Sequence, residues 1–241
     1  ITILHLNDIE LDFIGYSNSP LSLGDLKGNE FIITIKDIEE NQLIQLGTKL
    51  NSKQFMPNLF GEQRFSKNNK EIGKCLLKSE FKQAIDLIID SNSDYKEKIQ
   101  SFLKTNKNNF TAALHIIPKK LLRLYLHSYQ SHIWNKVVKE YLQTNKENIQ
   151  IPIIGFGTEL ENKDIAKITL TIMKEENITF RDFINRKIPE LSSEGDNRQA
   201  LIEIQDLKIL EKEKDTIKIN FKLSKGCYGT EAIKFLLNTK T

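Results

Sequence analysis

The spacing of apolar positions changes character along the chain, and each change predicts a different element. Residues 1–37 read as strands and turns. The run Glu30-Phe31-Ile32-Ile33-Thr34-Ile35-Lys36 is β-branched and aromatic and follows the glycine-bracketed stretch Gly24–Asn29, which predicts a strand entered from a turn. Leu43, Leu46, Gly47 and Leu50 then fall on one helical face, and Pro57 marks the start of a loop running through Ser66, so a βαβ-like rhythm forms. From about residue 75 to 145 the period is helical. Phe81, Ile85, Ile88 and Ile89 make one stripe, and Leu122, Tyr125, Leu126, Tyr129, Ile133, Val137 and Tyr141 make a longer one. Gln150–Gly157 is an apolar strand or loop with Pro152, and helices are expected between Lys163 and Lys187. Alternation returns at Ala200, Ile202 and Ile204 and again at Ile217, Ile219, Phe221 and Leu223, ahead of a short helix from about Cys227 to Leu237. Strands, then helices, then strands describe a helical block set into a sheet-bearing domain.

Composition narrows the class. With 241 residues, 39% hydrophobic and 28% charged, the chain can form one large or two smaller cores. No apolar run approaches the roughly 20 residues needed to cross a bilayer, and the first residues lack a basic-then-apolar signal pattern. We therefore expect no membrane and an intracellular, cytoplasmic location, or a nuclear one in a eukaryote. Cys75 and Cys227 stand far apart, which argues against a disulfide framework or a thiolate metal site. The net charge of +3 permits contact with nucleic acid without demanding it. An Asn/Lys-rich bias over Ser91–Asn109 reads as solvent-facing. The chain begins Ile1-Thr2-Ile3 and its methionines are Met56 and Met173, which reads as a piece of a longer polypeptide.

Candidate chemistry concentrates in Asn58-Leu59-Phe60-Gly61-Glu62-Gln63-Arg64-Phe65. An amide, two aromatics, a glycine and a guanidinium in one loop suit stacking on a base and holding a phosphate. The same residues also fit core anchors beneath a surface turn, and spacing alone favours that plainer reading. His127 and His132 lie five residues apart on one helix, with no third ligand to complete a metal set. Tyr129, Trp134 and Tyr141 fit either core packing or a stacking surface. Gln130, Ser131 and Asn135 interrupt the apolar stripe, which implies a hydrogen-bond network between helices or a wall facing RNA. Gly24–Asn29 is better read as a tight turn than as an anion nest.

The Asn58–Phe65 run resembles the Asn-x-Phe-Gly-x-Gln-Arg-Phe signature of the TruD pseudouridine synthase family, with every fixed position present. Leu23-Gly24-Asp25-Leu26-Lys27-Gly28-Asn29-x-Phe31 is similar to the family's element ahead of that loop. Arg123-x-Tyr125-x-His127-x-Tyr129-Gln130-Ser131-x-x-Trp134-Asn135 resembles its insertion-domain helix, and Leu223-x-x-Gly226-x-Tyr228-x-Thr230 its last strand-to-helix turn.

The resemblance implies an α+β fold: a sheet-based pseudouridine synthase core from residues 1–83 and 200–241, interrupted by a mainly helical TRUD-type insertion over 84–199. It implies an isomerase that converts a uridine of tRNA, or of another structured RNA, to pseudouridine without cofactor or metal. By the same resemblance Asn58 would bond near the catalytic carboxylate or the base, and Phe60 would stack on the turned-out uracil. Gln63 and Arg64 would hold the loop, with Arg64 reaching a phosphate. The family's catalytic aspartate belongs to a Gly-x-Lys-Asp-x-x-Ala-x-Thr motif that this sequence does not contain, so the motif is expected upstream of Ile1. Asp8 and Asp25 lack its flanking pattern and are not candidates. The intact protein is therefore expected to be the enzyme and this stretch alone to be inactive, with a non-catalytic RNA-binding module as the alternative reading.

Overall fold

The computed structural model describes residues 4–6, 9–11, 13, 15–20, 22, 25–91 and 93–238. Asp8 and Gly24 lie outside the described residues. A short antiparallel ribbon, β1 (Leu4–Leu6) with β2 (Ile9–Leu11), precedes the first long strand, β3 (Gly28–Ile35). Helix α1 (Glu40–Leu50) follows, held at its start by a reciprocal capping box between Glu39 and Gln42, and leads to β4 (Gln54–Pro57). Pro57 therefore closes a strand before the loop opens.

The helical part is α2 (Asn69–Leu77), α3 (Phe81–Asp90), α4 (Lys96–Thr105), α5 (Phe110–Leu114) and the 26-residue α6 (Lys119–Thr144). It continues through β5 (Gln150–Ile153), α7 (Lys163–Glu175) and β6 (Asp196–Gln199). The chain closes with β7 (Leu201–Lys212), β8 (Ile217–Ser224) and α8 (Gly229–Leu236). The Asn/Lys-rich stretch, expected to face solvent, instead carries α4. Its polar majority is exposed, while the fully buried Ile99 anchors the helix.

The main sheet has four strands in the order β3-β8-β7-β4, and every neighbouring pair is antiparallel. The βαβ-like rhythm is thus not a parallel crossover: β3 and β4 stand on opposite sides of the sheet, with the two closing strands between them. β7 changes partner midway. Leu201–Ile204 pairs with β4, the remainder pairs with β8, and register shifts follow Gln205, where Asp206 takes a positive φ of 53°.

Two apolar cores result. Ile38, Leu46, Met56, Ile202, Ile204, Ile217, Ile219, Phe221, Leu223, Ala232 and Leu236 form the one between the sheet and helices α1 and α8. Lys49, in the last turn of α1, ties those helices together by donating to the carbonyls of Phe235 and Leu236. The larger core surrounds α6 and draws in Leu59, α2, α3, α7 and Ala200. The seam between the cores falls at the same place on both crossings of the chain, between Met56 and Leu59 and between Ala200 and Ile202.

Candidate functional site: an aromatic and guanidinium cluster at the seam

The Asn58–Phe65 loop leaves β4 at that seam. The Asn58 N–H donates to Ala200 O at 2.9 Å, which extends the strand pairing by one residue. Leu59 then turns into the helical core, while Phe60 is half-buried. Both backbone groups of Phe60 are held by one side chain. Its N–H donates to Asn135 Oδ1 at 2.9 Å, and its carbonyl accepts from Asn135 Nδ2 at 2.9 Å. The Phe60 ring meets Trp134 edge-on at 5.6 Å between centroids and Tyr228 at 6.1 Å.

Gly61 is where the loop passes under the start of α8. A Cβ there would stand 2.9 Å from a Tyr228 ring carbon and 3.2 Å from Thr230 Oγ1, so any side chain would push α8 away. The following turn, Glu62–Arg64, is a single 3-10 turn. Gln63 is exposed, and Arg64 is half-buried with its guanidinium carbon 5.9 Å from the Phe60 centroid. Arg64 Nε is buried without a hydrogen-bond partner among the described residues. The Arg64 carbonyl accepts from Ser128 Oγ at 2.9 Å, which fixes the turn against α6.

Arg198, on β6, completes the cluster, and nothing in the local sequence pattern marks it. Its Nε donates to Asn58 O at 3.0 Å, and its Nη2 donates to Asn58 Oδ1 at 2.6 Å and to Gly226 O at 3.0 Å. Its guanidinium carbon lies 4.2 Å from the Phe60 centroid and 5.4 Å from that of Trp134. Gly226, with φ of +75°, adopts a backbone conformation that favours glycine. Asn58 Nδ2 donates to Gln199 O at 3.1 Å. Both ends of the buried Asn58 carboxamide are therefore engaged by the protein.

The polar residues that interrupt the α6 stripe form a network within the fold. Gln130 donates to Ile154 O and Glu194 O and accepts from Ser193, Ser131 donates to His127 O, and Trp134 Nε1 donates to Ile151 O at 3.1 Å. No group of three or more His, Cys, Asp or Glu among the described residues, His127 and His132 included, could hold a metal. Burial and then the charges of Arg64 and Arg123 hold the His127 pKa down, and burial and then Lys70 act likewise on His132. Both imidazoles are thereby biased toward the neutral form.

The fold is shared with a crystal structure from Methanosarcina mazei described as "Putative tRNA pseudouridine synthase D (TruD)". That structure aligns over 98% of this chain and 75% of its own at a TM-score of 0.77 and 22% identity, which establishes the shared fold. The family profile described as tRNA pseudouridine synthase D (TruD) matches residues 1–102, 92–149 and 138–234, and the chain belongs to that family. Among its relatives, proteins named "Probable tRNA pseudouridine synthase D" from Methanosarcina acetivorans and Nanoarchaeum equitans are 26% and 28% identical. They align over 96% and 97% of this chain and 73% and 72% of their own lengths.

Proposed function

We propose that this protein isomerises a uridine of tRNA, or of a similarly structured RNA, to pseudouridine. The observation that carries the reading is the Phe60 ring, held half-buried at the seam of the two cores with guanidinium groups beside it, in a chain of the TruD family. A half-buried aromatic with a fixed backbone suits stacking on a base that has left its helix, and it offsets part of the unstacking cost. Gln63 is exposed on the same turn, and the half-buried Arg64, its Nε without a hydrogen-bond partner among the described residues, can meet a backbone phosphate.

The reaction breaks the bond between C1′ and N1, turns the uracil, and joins C1′ to C5, while C5 loses a proton and N1 gains one. Reactant and product are isomers, so no redox partner is consumed, and a carboxylate can act as nucleophile or base. We further propose that residues 1–83 and 200–241 act as the synthase core and 84–199 as the insertion, with RNA in the cleft between. Two separate apolar cores support this division, although α2 packs with the helical part. No helix among the described residues is long and apolar enough to cross a membrane, and a substrate of this kind places the protein's work inside the cell. Incubating the natural polypeptide with unmodified tRNA and analysing the nucleosides chromatographically tests the reading. Pseudouridine should appear at one site, and a preparation that neither binds nor alters tRNA would refute it.

A further inference from the structure

We propose that Arg198 is a positioning residue of the uridine site: its guanidinium sets the Asn58 carboxamide and covers one face of the Phe60 ring, leaving the opposite face to the base. The proposal rests on the function given above.

The geometry asks for a guanidinium. Nε and Nη2 reach two oxygens of the same residue, the carbonyl and the carboxamide of Asn58, and Nη2 reaches the Gly226 carbonyl as well. A planar fork can do this while lying flat on a ring, whereas a lysine ammonium can satisfy only part of the set and cannot stack. At 4.2 Å from the centroid the guanidinium carbon sits over the ring face, because a group at the ring edge would be farther away. Trp134 and Tyr228 meet the ring at interplanar angles of 86° and 64°. Arg64 lies farther off, at 5.9 Å, so Arg198 is the nearer guanidinium on the ring and fixes which face a base can approach.

Arg198 also joins three segments distant in sequence: the loop after β4, strand β6 and the turn between β8 and α8. Among the described residues its hydrogen bonds all run to neutral oxygens and none to a carboxylate. An ordinary structural ion pair does not account for it. A side chain that orients two groups for a reaction should affect the chemical step more than binding, since a misplacement of about 1 Å can cost on the order of 100-fold in rate.

Arg198→Lys and Arg198→Ala in the natural polypeptide test this. For Arg198→Ala, single-turnover conversion of unmodified tRNA should fall on the order of 100-fold with tRNA affinity little changed. Arg198→Lys should recover little of that loss, and millimolar guanidinium ion should restore part of the rate to Arg198→Ala while leaving the unsubstituted protein unaffected. Trp134, the single tryptophan, supplies a readout that needs no RNA. Its emission should shift in Arg198→Ala and move back when guanidinium is added. Full activity in Arg198→Lys would overturn the proposal, as would a loss in Arg198→Ala that tracks the unfolded fraction in melting curves and ignores guanidinium. Should the unsubstituted protein neither bind nor convert tRNA, the functional reading fails by itself. The Trp134 response then still decides whether Arg198 sets the cluster.

Discussion

Phe60 combines two roles that the loop sequence presents as alternatives. Its ring packs against Trp134 and Tyr228, yet it is only half-buried, so truncation should touch both stability and chemistry. Phe60→Ala should remove roughly 1–3 kcal/mol of base stacking from the reaction. It should also destabilise the fold by less than the roughly 3–5 kcal/mol typical of a fully buried phenylalanine. Phe60→Tyr should keep most of the rate because the ring face survives. Melting temperature and single-turnover rate, measured on the same Ala variant, check both halves; an undiminished rate with a full core-sized loss of stability would make Phe60 a core residue alone. The Asn58–Phe65 run was legible as a candidate site through its resemblance to the family signature, since its residue types alone fit core anchors better. Arg198 was not, since 140 positions separate it from Asn58 and only folding brings them within 2.6 Å.

At the scale of elements, α6 organises the helical part, and Glu176 just beyond α7 locks its neighbours to it. The Glu176 carboxylate accepts from Lys74 of α2 at 2.8 Å, from Lys136 of α6 at 2.9 Å and from Tyr129 Oη at 3.2 Å, with His132 Nε2 3.6 Å away. Burial alone would raise the Glu176 pKa, but the hydrogen bonds and charges of Lys74 and Lys136 outweigh it and hold the group at about 2. The sign follows from a folded-state pKa below the usual 4.5: the stabilisation is present above about pH 4.5 and is lost as pH falls toward 2. Both lysines are more than a third exposed, so solvent screening reduces the contribution to about 1–2 kcal/mol. Glu176→Gln should lower the denaturation midpoint at pH 7 and narrow its gap from the unsubstituted protein as pH drops to 2. A gap that stays constant across that range would show that the charge of Glu176 contributes nothing. The long apolar stripe of α6 was readable from its period, whereas its buried Ser128, Gln130 and Ser131 acquire meaning only from the backbone groups they meet.

Over the whole molecule the net charge is a modest +3, so binding of an RNA depends on where individual cations stand. Arg64 and Arg123 stand near His127 and Lys70 near His132, where the Glu176 carboxylate at 3.6 Å opposes it, and Glu62 pairs with Lys234 at 2.7 Å. Binding of tRNA should therefore weaken as salt rises, because phosphate contacts release counterions, and the slope of log affinity against log salt should be shallower in Arg64→Ala. Titrations at several salt concentrations measure it, and affinity indifferent to salt would remove phosphate contact as the basis of binding.

The amino-acid sequence by itself determined the strand at Phe31, the alternating strands at Ile202 and Ile219, the helical stripe from Leu122 to Tyr141 and the loop that carries Asn58 and Phe60. These are local signals, set by side-chain period and by residue types within a few positions of one another. The antiparallel order that places β8 and β7 between β3 and β4, the seam between the cores and the capture of Asn58 by Arg198 were decided only by the tertiary structure. Strand partnership and long-range hydrogen bonds depend on which buried faces close against each other and which polar groups then need partners, and that requirement arises only when distant segments pack together.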